Sequence, residues 1–261
     1  MDKHYEAYFD ETYYTETLAN GLKVIIFHKP EFSTSVCAFG TPYGALKINE
    51  QFNGKEYHFH PGVAHFLEHK LFEAKGDDMM TLFSSLGANV NAFTSYHETV
   101  YYFSKTGEDI KQCLELLLGF VQELDITPES VEKEKGIIAQ EVAMYDQVPD
   151  SKLLHEAYKA LYHHYPLKYD IGGDKKGIYA IDKEELDECY RINYHPVNMS
   201  LVITTPLDPK KIMNIVRKNQ LKKDFAKADI PEPAMKKSLW RSSEKEKFSR
   251  WISTRISIYG L

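Results

Sequence analysis

Apolar positions along the chain follow two rhythms, and the switches between them outline its elements. Two β-prone runs, Glu16-Thr-Leu and Leu22-Lys-Val-Ile-Ile-Phe, flank Asn20-Gly21, and Asn-Gly between such runs predicts a hairpin over residues 16–28. Further strands are predicted over residues 34–40 and over the apolar, β-rich residues 199–205. The polar residues 45–61 read as a loop, after which Pro61-Gly62 opens a helix to about Ala74. Gly87-Ala-Asn-Val-Asn-Ala-Phe-Thr-Ser-Tyr is a turn feeding an extended segment that ends in Val100-Tyr-Tyr-Phe. Ile110, Cys113, Leu114, Leu117 and Val121 recur at helical spacing across residues 108–123. Thr127-Pro128 supplies an N-cap and a first-turn proline for a long helix to about Asp146. Asp150 and Asp182 read as the caps of two more helices, and Asp208-Pro209 as the start of one to about Asn219.

Strands and helices are interspersed without a regular βαβ rhythm or a Gly-rich phosphate loop. This predicts an α+β fold with a largely antiparallel sheet packed by helices. One domain is expected over residues 1–228. Pro231 and Pro233 then introduce a Lys/Arg/Ser-rich stretch that holds both tryptophans, Trp240 and Trp251. Residues 229–261 therefore read as a basic linker or tail, or as the start of a second domain.

Composition narrows the classes. The 261 residues are 43% hydrophobic and 13% aromatic, enough for a sizeable core and against global disorder. The net charge of −6 is uneven: residues 206–261 hold 14 basic and 6 acidic side chains, leaving 18 and 32 for the rest. A body that acidic is a poor nucleic-acid binder, so no nucleic-acid partner is expected. Cys37, Cys113 and Cys189 are odd in number and widely spaced, which indicates neither a disulfide scaffold nor a cysteine zinc site. The first residues, Met-Asp-Lys-His-Tyr-Glu, lack an apolar signal region, and the run from Leu116 to Val121 is too short to span a bilayer. The expected location is cytoplasmic, without a membrane partner.

The chemistry concentrates in Gly62-Val-Ala-His65-Phe-Leu-Glu68-His69-Lys-Leu-Phe. On a helix, residues four apart project from one face, so both imidazoles are placed as two ligands of a tetrahedral zinc. Glu68 lies on the same face, near enough to handle a zinc-bound water. Val63, Phe66, Leu67 and Leu71 are the apolar side of that helix. An amphipathic helix with two histidines at its rim would show the same short pattern. A third ligand is available on the helix Ser130-Val-Glu-Lys-Glu134-Lys-Gly-Ile-Ile-Ala-Gln-Glu141, where Glu134 and Glu141 stand two turns apart, with Ile137, Ile138 and Met144 as apolar contacts. A solvated acidic face is the alternative there.

HxxEH followed by a helix with a distal glutamate is the inverzincin signature. With Gly87-Ala-Asn-Val-Asn91-Ala92-Phe-Thr-Ser and Tyr194-His195-Pro196-Val-Asn198-Met199, the chain resembles the insulinase-like (pitrilysin, M16) zinc metallopeptidase family over roughly residues 15–225. Within it, His-Phe-Leu-Glu-His-Lys-Leu-Phe-Glu looks most like the bacterial branch associated with elongation factor P modification. The resemblance implies that His65, His69 and Glu141 ligate one Zn2+, that Glu68 is the general base, and that Glu134 supports the site. It also implies that Asn91 and Ala92 pair with the backbone of an extended peptide substrate. His58, His60 and His97 are read as outside the metal site, and His163-His164 as a helix terminus.

Two other readings stand beside the zinc endopeptidase. A LuxS-type lyase also uses HxxEH but completes its site with a cysteine, for which Cys113, in an apolar stripe, is a poor candidate. A non-catalytic subunit would bind peptides without cutting them. Members of the resembled family usually close two related domains over the substrate, so this chain is expected to be half of such a clamshell. Its opposing wall would be a second domain or a homologous subunit.

Overall fold

The β-branched run after Gly21 is extended because its side chains sort cleanly by face. In β3 (Lys23–His28) Val24 and Ile26 are buried, whereas Ile25 and Phe27 are half-buried. The computed structural model describes residues 1–73, 79–225 and 231–233. β3 pairs with β2 (Glu11–Thr17), and β2 with β1 (Asp2–Glu6), both antiparallel. On its other side β3 runs parallel to β9 (Ser200–Thr205). Then follow, all antiparallel, β4 (Thr34–Thr41), β8 (Thr99–Thr106) and the edge strand β7 (Ala88–Thr94). The seven-stranded order β1-β2-β3-β9-β4-β8-β7 has one parallel pair, the antiparallel-dominated sheet expected from the sequence.

Period-two burial gives this sheet its core face: Cys37, Phe39, Tyr101, Phe103, Leu201 and Ile203 are fully buried. Helices α1 (Val63–Phe72), α3 (Lys111–Val121) and α8 (Pro209–Gln220) pack against it. α1 also touches α4 (Pro128–Tyr145) and α7 (Lys183–Asn193), which leaves it inside the helical layer beside the β7 edge. α2 (Met79–Ser85) packs on β7 and α6 (Lys175–Ala180) on α4, while α5 (Pro149–Leu161), with no buried residue, contacts the short 3-10 turn Pro166–Lys168.

Several local expectations change. Residues 45–61 are not one loop: β5 (Asn49–Phe52) and β6 (Lys55–His58) form a hairpin around Asn53-Gly54, both at positive φ (51° and 75°). The segment is polar because one face is solvated, while Glu50, Phe52 and Tyr57 point inward. Around Asn20-Gly21 only Gly21 is left-handed, and Leu18 N–H donates to the Leu22 carbonyl, closing a wider loop than a two-residue turn. The turn expected over residues 87–96 is mostly strand: Ala88–Thr94 is β7, and only residues 95–98 turn into β8. α5 is capped by Val148 with Pro149 leading, so Asp150 lies in its first turn instead of capping it. On α4, Ile137 and Met144 are 47% and 55% exposed, and Val131 and Ile138 are the buried contacts. β1, α2 and α6 carry no signal that the sequence reading used. Past residue 228, β10 (Glu232–Pro233) pairs with β5; Trp240, Trp251 and the rest of the basic stretch lie outside the described residues.

Candidate metal centre

The rotation of α1 is set by what it buries. Val63, Ala64, Phe66, Leu67 and Leu71 are at most 1% exposed, and burying a side chain such as Phe66 is worth roughly 2–3 kcal/mol. Lys70 is buried as well, its ammonium ion-paired with Glu73 and donating to the Ser130 carbonyl 3.2 Å away. Turning α1 to release a histidine would therefore expose this apolar side and strand a buried charge. His65, Glu68 and His69 are left facing α4 and β7. On α4, Thr127 and Ser130 cap each other reciprocally, fixing the start of the helix that carries Glu134 and Glu141.

The two helices bring four side chains together. His69 Nδ1 lies 2.9 Å from Glu134 Oε1, and His69 Nε2 lies 3.2 Å from Glu141 Oε2. His65 Nε2 lies 3.8 Å from Glu141 Oε1, with the two rings edge-to-face at 4.6 Å between centroids. One ligand atom from each of His65, His69 and Glu141 falls within 4.8 Å of the other two, the group of three among the described residues that could hold a metal ion. Zinc bonds of 2.0–2.2 Å set tetrahedral donors about 3.4 Å apart, so the widest pair of this set would have to draw in by up to about 1.4 Å to hold the ion. Two imidazoles and one carboxylate are also a catalytic zinc donor set that leaves a coordination position open.

The electrostatics divide the four groups. Burial, and then the neighbouring His69, pulls His65 down to about 4, so it is a neutral donor. Burial opposes a proton on His69 too, but hydrogen bonds to Glu134 and Glu141 outweigh it and hold His69 up to about 9. Both glutamates are held below the ordinary carboxylate range, first by the hydrogen bond with His69. A proton thus sits where a divalent cation would bind, and such a cation would displace it.

Glu68 is differently placed. Its Oε2 accepts from Thr94 Oγ1 at 2.6 Å, and burial raises its proton affinity. Thr94 ends β7, the strand bearing the expected substrate contacts. Asn91 is exposed and Ala92 half-buried on this edge, and Ala92 N–H is taken by the Asn91 side chain at 2.8 Å rather than by β8. No strand among the described residues pairs with the outer edge of β7.

Thr94 escaped the sequence reading, as did the segment Asp170-Ile-Gly172-Gly173 that lies against the start of α1. A Cβ on Gly62 would stand 2.5 Å from the Gly172 carbonyl oxygen, and one on Gly173 2.3 Å from that of Pro61. Only glycines permit this backbone contact, and the Gly-Gly pair was its available signal. The other candidates stay apart. His58 pairs with Asn49, His60 with Glu185, and His163 and His164 follow the end of α5. His97, in the turn between β7 and β8, donates its backbone N–H to Ser95 Oγ. Cys113 is buried within α3 and joins no metal-binding group among the described residues. Among the described residues no helix is long and apolar enough to cross a membrane.

Comparison with known proteins shows the family. The family model for insulinase (peptidase family M16) matches residues 55–175, which contain all seven expected site residues. The chain is 44% identical over 224 residues to the uncharacterized zinc protease YmfH of Bacillus subtilis, covering 85% of this chain and 52% of that one. It is 28% identical over 192 residues to the mitochondrial-processing peptidase subunit beta of Neurospora crassa, covering 72% of this chain and 39% of that one. The crystal structure of an M16-like peptidase from Alicyclobacillus acidocaldarius superposes with a TM-score of 0.82 at 40% identity, over 85% of this chain and 52% of that one. The chain thus spans about half the length, or less, of these relatives.

Proposed function

The chain carries a domain of the insulinase family, peptidase family M16, and from that premise we propose that it is the metal-bearing half of a zinc endopeptidase. The observation that carries this reading is the convergence of His65, His69 and Glu141 within 4.8 Å, beside a Glu68 that ligates nothing. One zinc ion held by these three residues would supply Lewis acidity and a nucleophilic water at neutral pH. Glu134 keeps the proton on His69 Nδ1, so that Nε2 presents its lone pair. Glu68 accepts the proton of the attacking water on its carboxylate and delivers it to the departing amine. Burial raises the proton affinity of Glu68, which favours the proton-accepting step.

The substrate is an extended peptide that adds a strand to the outer edge of β7, with Asn91 and Ala92 meeting its backbone. Asn91 releases Ala92 N–H as the peptide docks, exchanging one hydrogen bond for another. A second domain of similar fold, in the same polypeptide or another, closes over this edge, a reading supported by the greater length of the relatives. The test is cleavage of unfolded peptides by the zinc-loaded chain, alone and with such a domain. Zinc-dependent cleavage that rises with the second domain is expected. Peptide binding with no cleavage in either case would instead favour a docking subunit.

A further inference from the structure

Glu134 serves the Nδ1 of His69, but the Nδ1 of His65, also shut off from solvent, has no hydrogen-bond partner. A metal-ligating imidazole ordinarily donates its second N–H to a carboxylate, carbonyl or water, which fixes its tautomer and ring orientation. The segment after Tyr169 is built to bring a carboxylate there. Gly62, Gly172 and Gly173 press it against the first turn of α1 at backbone contact. A Cβ on Gly172 would lie 3.5 Å from His65 Nδ1 and 3.4 Å from Asp170 Oδ1, so the two polar atoms flank the same point. Any side chain there would also strike Val142, at 2.6 Å, which keeps that point open. Asp170 is held in this position locally, its Oδ1 accepting the Gly172 N–H at 2.9 Å.

Resting on the zinc reading, we infer that Asp170 is the positioning residue of His65: its carboxylate supports the proton on Nδ1 and leaves the Nε2 lone pair for the metal. The two histidine ligands would then each be backed by a carboxylate, Glu134 from α4 and Asp170 from the loop before α6. The charge of Asp170 reaches the His65 ring together with those of Glu141 and Glu134.

Asp170→Asn separates charge from loop geometry, because the amide carbonyl still accepts the Gly172 N–H. Zinc affinity, measured by competition with a chromophoric chelator, is expected to fall by about 10–100-fold in this variant. Its unfolding midpoint should stay near that of the parent. Asp174→Asn, at the cap of α6, is expected to bind zinc as the parent does. A second readout needs no variant: imidazole 15N shifts of the zinc-loaded parent should show His65 ligated through Nε2 and protonated on Nδ1. Zinc binding by Asp170→Asn within twofold of the parent, or ligation of His65 through Nδ1, would overturn the inference and leave the zinc reading standing. A folded parent that takes up no zinc would overturn both.

Discussion

Three glutamates face the two histidines, and their neighbours assign them different work. Glu134 and Glu141 are stabilised as anions by His69, whereas Glu68 is buried against Thr94 and has no cation of its own to bind. Glu68→Gln is therefore expected to keep its zinc while losing hydrolysis, read from metal content and peptide cleavage on one preparation; loss of metal as complete as in His65→Ala would contradict the role. A further glutamate, Glu50, matters to stability. Glu50 is fully buried, its Oε2 accepting from Asn193 Nδ2 at 2.7 Å, while its Oε1 and the side-chain Oδ1 of Asn193 lack partners. Burial raises its proton affinity, so its contribution to stability is complete below the ordinary glutamate range and is lost as pH rises through the raised value. Glu50→Gln, which carries a donor at every pH, is expected to remove that slope in urea unfolding and to gain about 1 kcal/mol at neutral pH. An unchanged slope would show that Glu50 is not its source. At this scale the sequence was readable where chemistry is local: His65, Glu68 and His69 declare themselves by spacing on one helix. Thr94 and Asp170 did not, because lone threonines and aspartates acquire meaning only when the fold brings them to the helix.

Elements were legible where their ends carry specific chemistry. Thr127-Pro128, Asp182 and Asp208-Pro209 mark helix starts that the structure keeps, each with a side-chain oxygen accepting a first-turn N–H. Polarity misled at β5–β6, although Asn53-Gly54 between Phe52 and Lys55 is the same hairpin signal that served at Asn20-Gly21. Helical spacing misled on α4, where Ile137 and Met144 keep the period but face outward. The contact between the 170–173 segment and α1 is invisible to periodicity, being made by backbone. It is testable by stability: Gly173 has φ +82° and its Cβ would meet the Pro61 carbonyl oxygen at 2.3 Å. Gly173→Ala is expected to cost about 2 kcal/mol or more in urea denaturation and to weaken zinc binding by displacing the start of α1. A cost below about 0.5 kcal/mol would show that the contact yields without strain.

For the whole molecule, the α+β sheet architecture followed from the mixture of runs and spacings, whereas the strand order, with β9 inserted between β3 and β4, did not. An exposed apolar strip, Ile137, Met144, Val148, Leu153 and Leu154 on and between α4 and α5, each at least 43% exposed, is a surface that the proposed second domain could cover. On the proposed reading, a peptide bound without a closing second domain would be held along one edge only, with water reaching the site, which would weaken orientation and oxyanion stabilisation. The isolated chain is accordingly expected to bind zinc and cleave peptides slowly, with the rate rising when a second domain is supplied. The metal site itself is the foundation of all of this. Its most direct test is the zinc content, by elemental analysis, of the purified chain beside Glu141→Gln and Cys113→Ser. About one zinc is expected in the parent and in Cys113→Ser, and close to none in Glu141→Gln. Full zinc retained by a folded Glu141→Gln, or none taken up by the folded parent from micromolar zinc, would contradict the site.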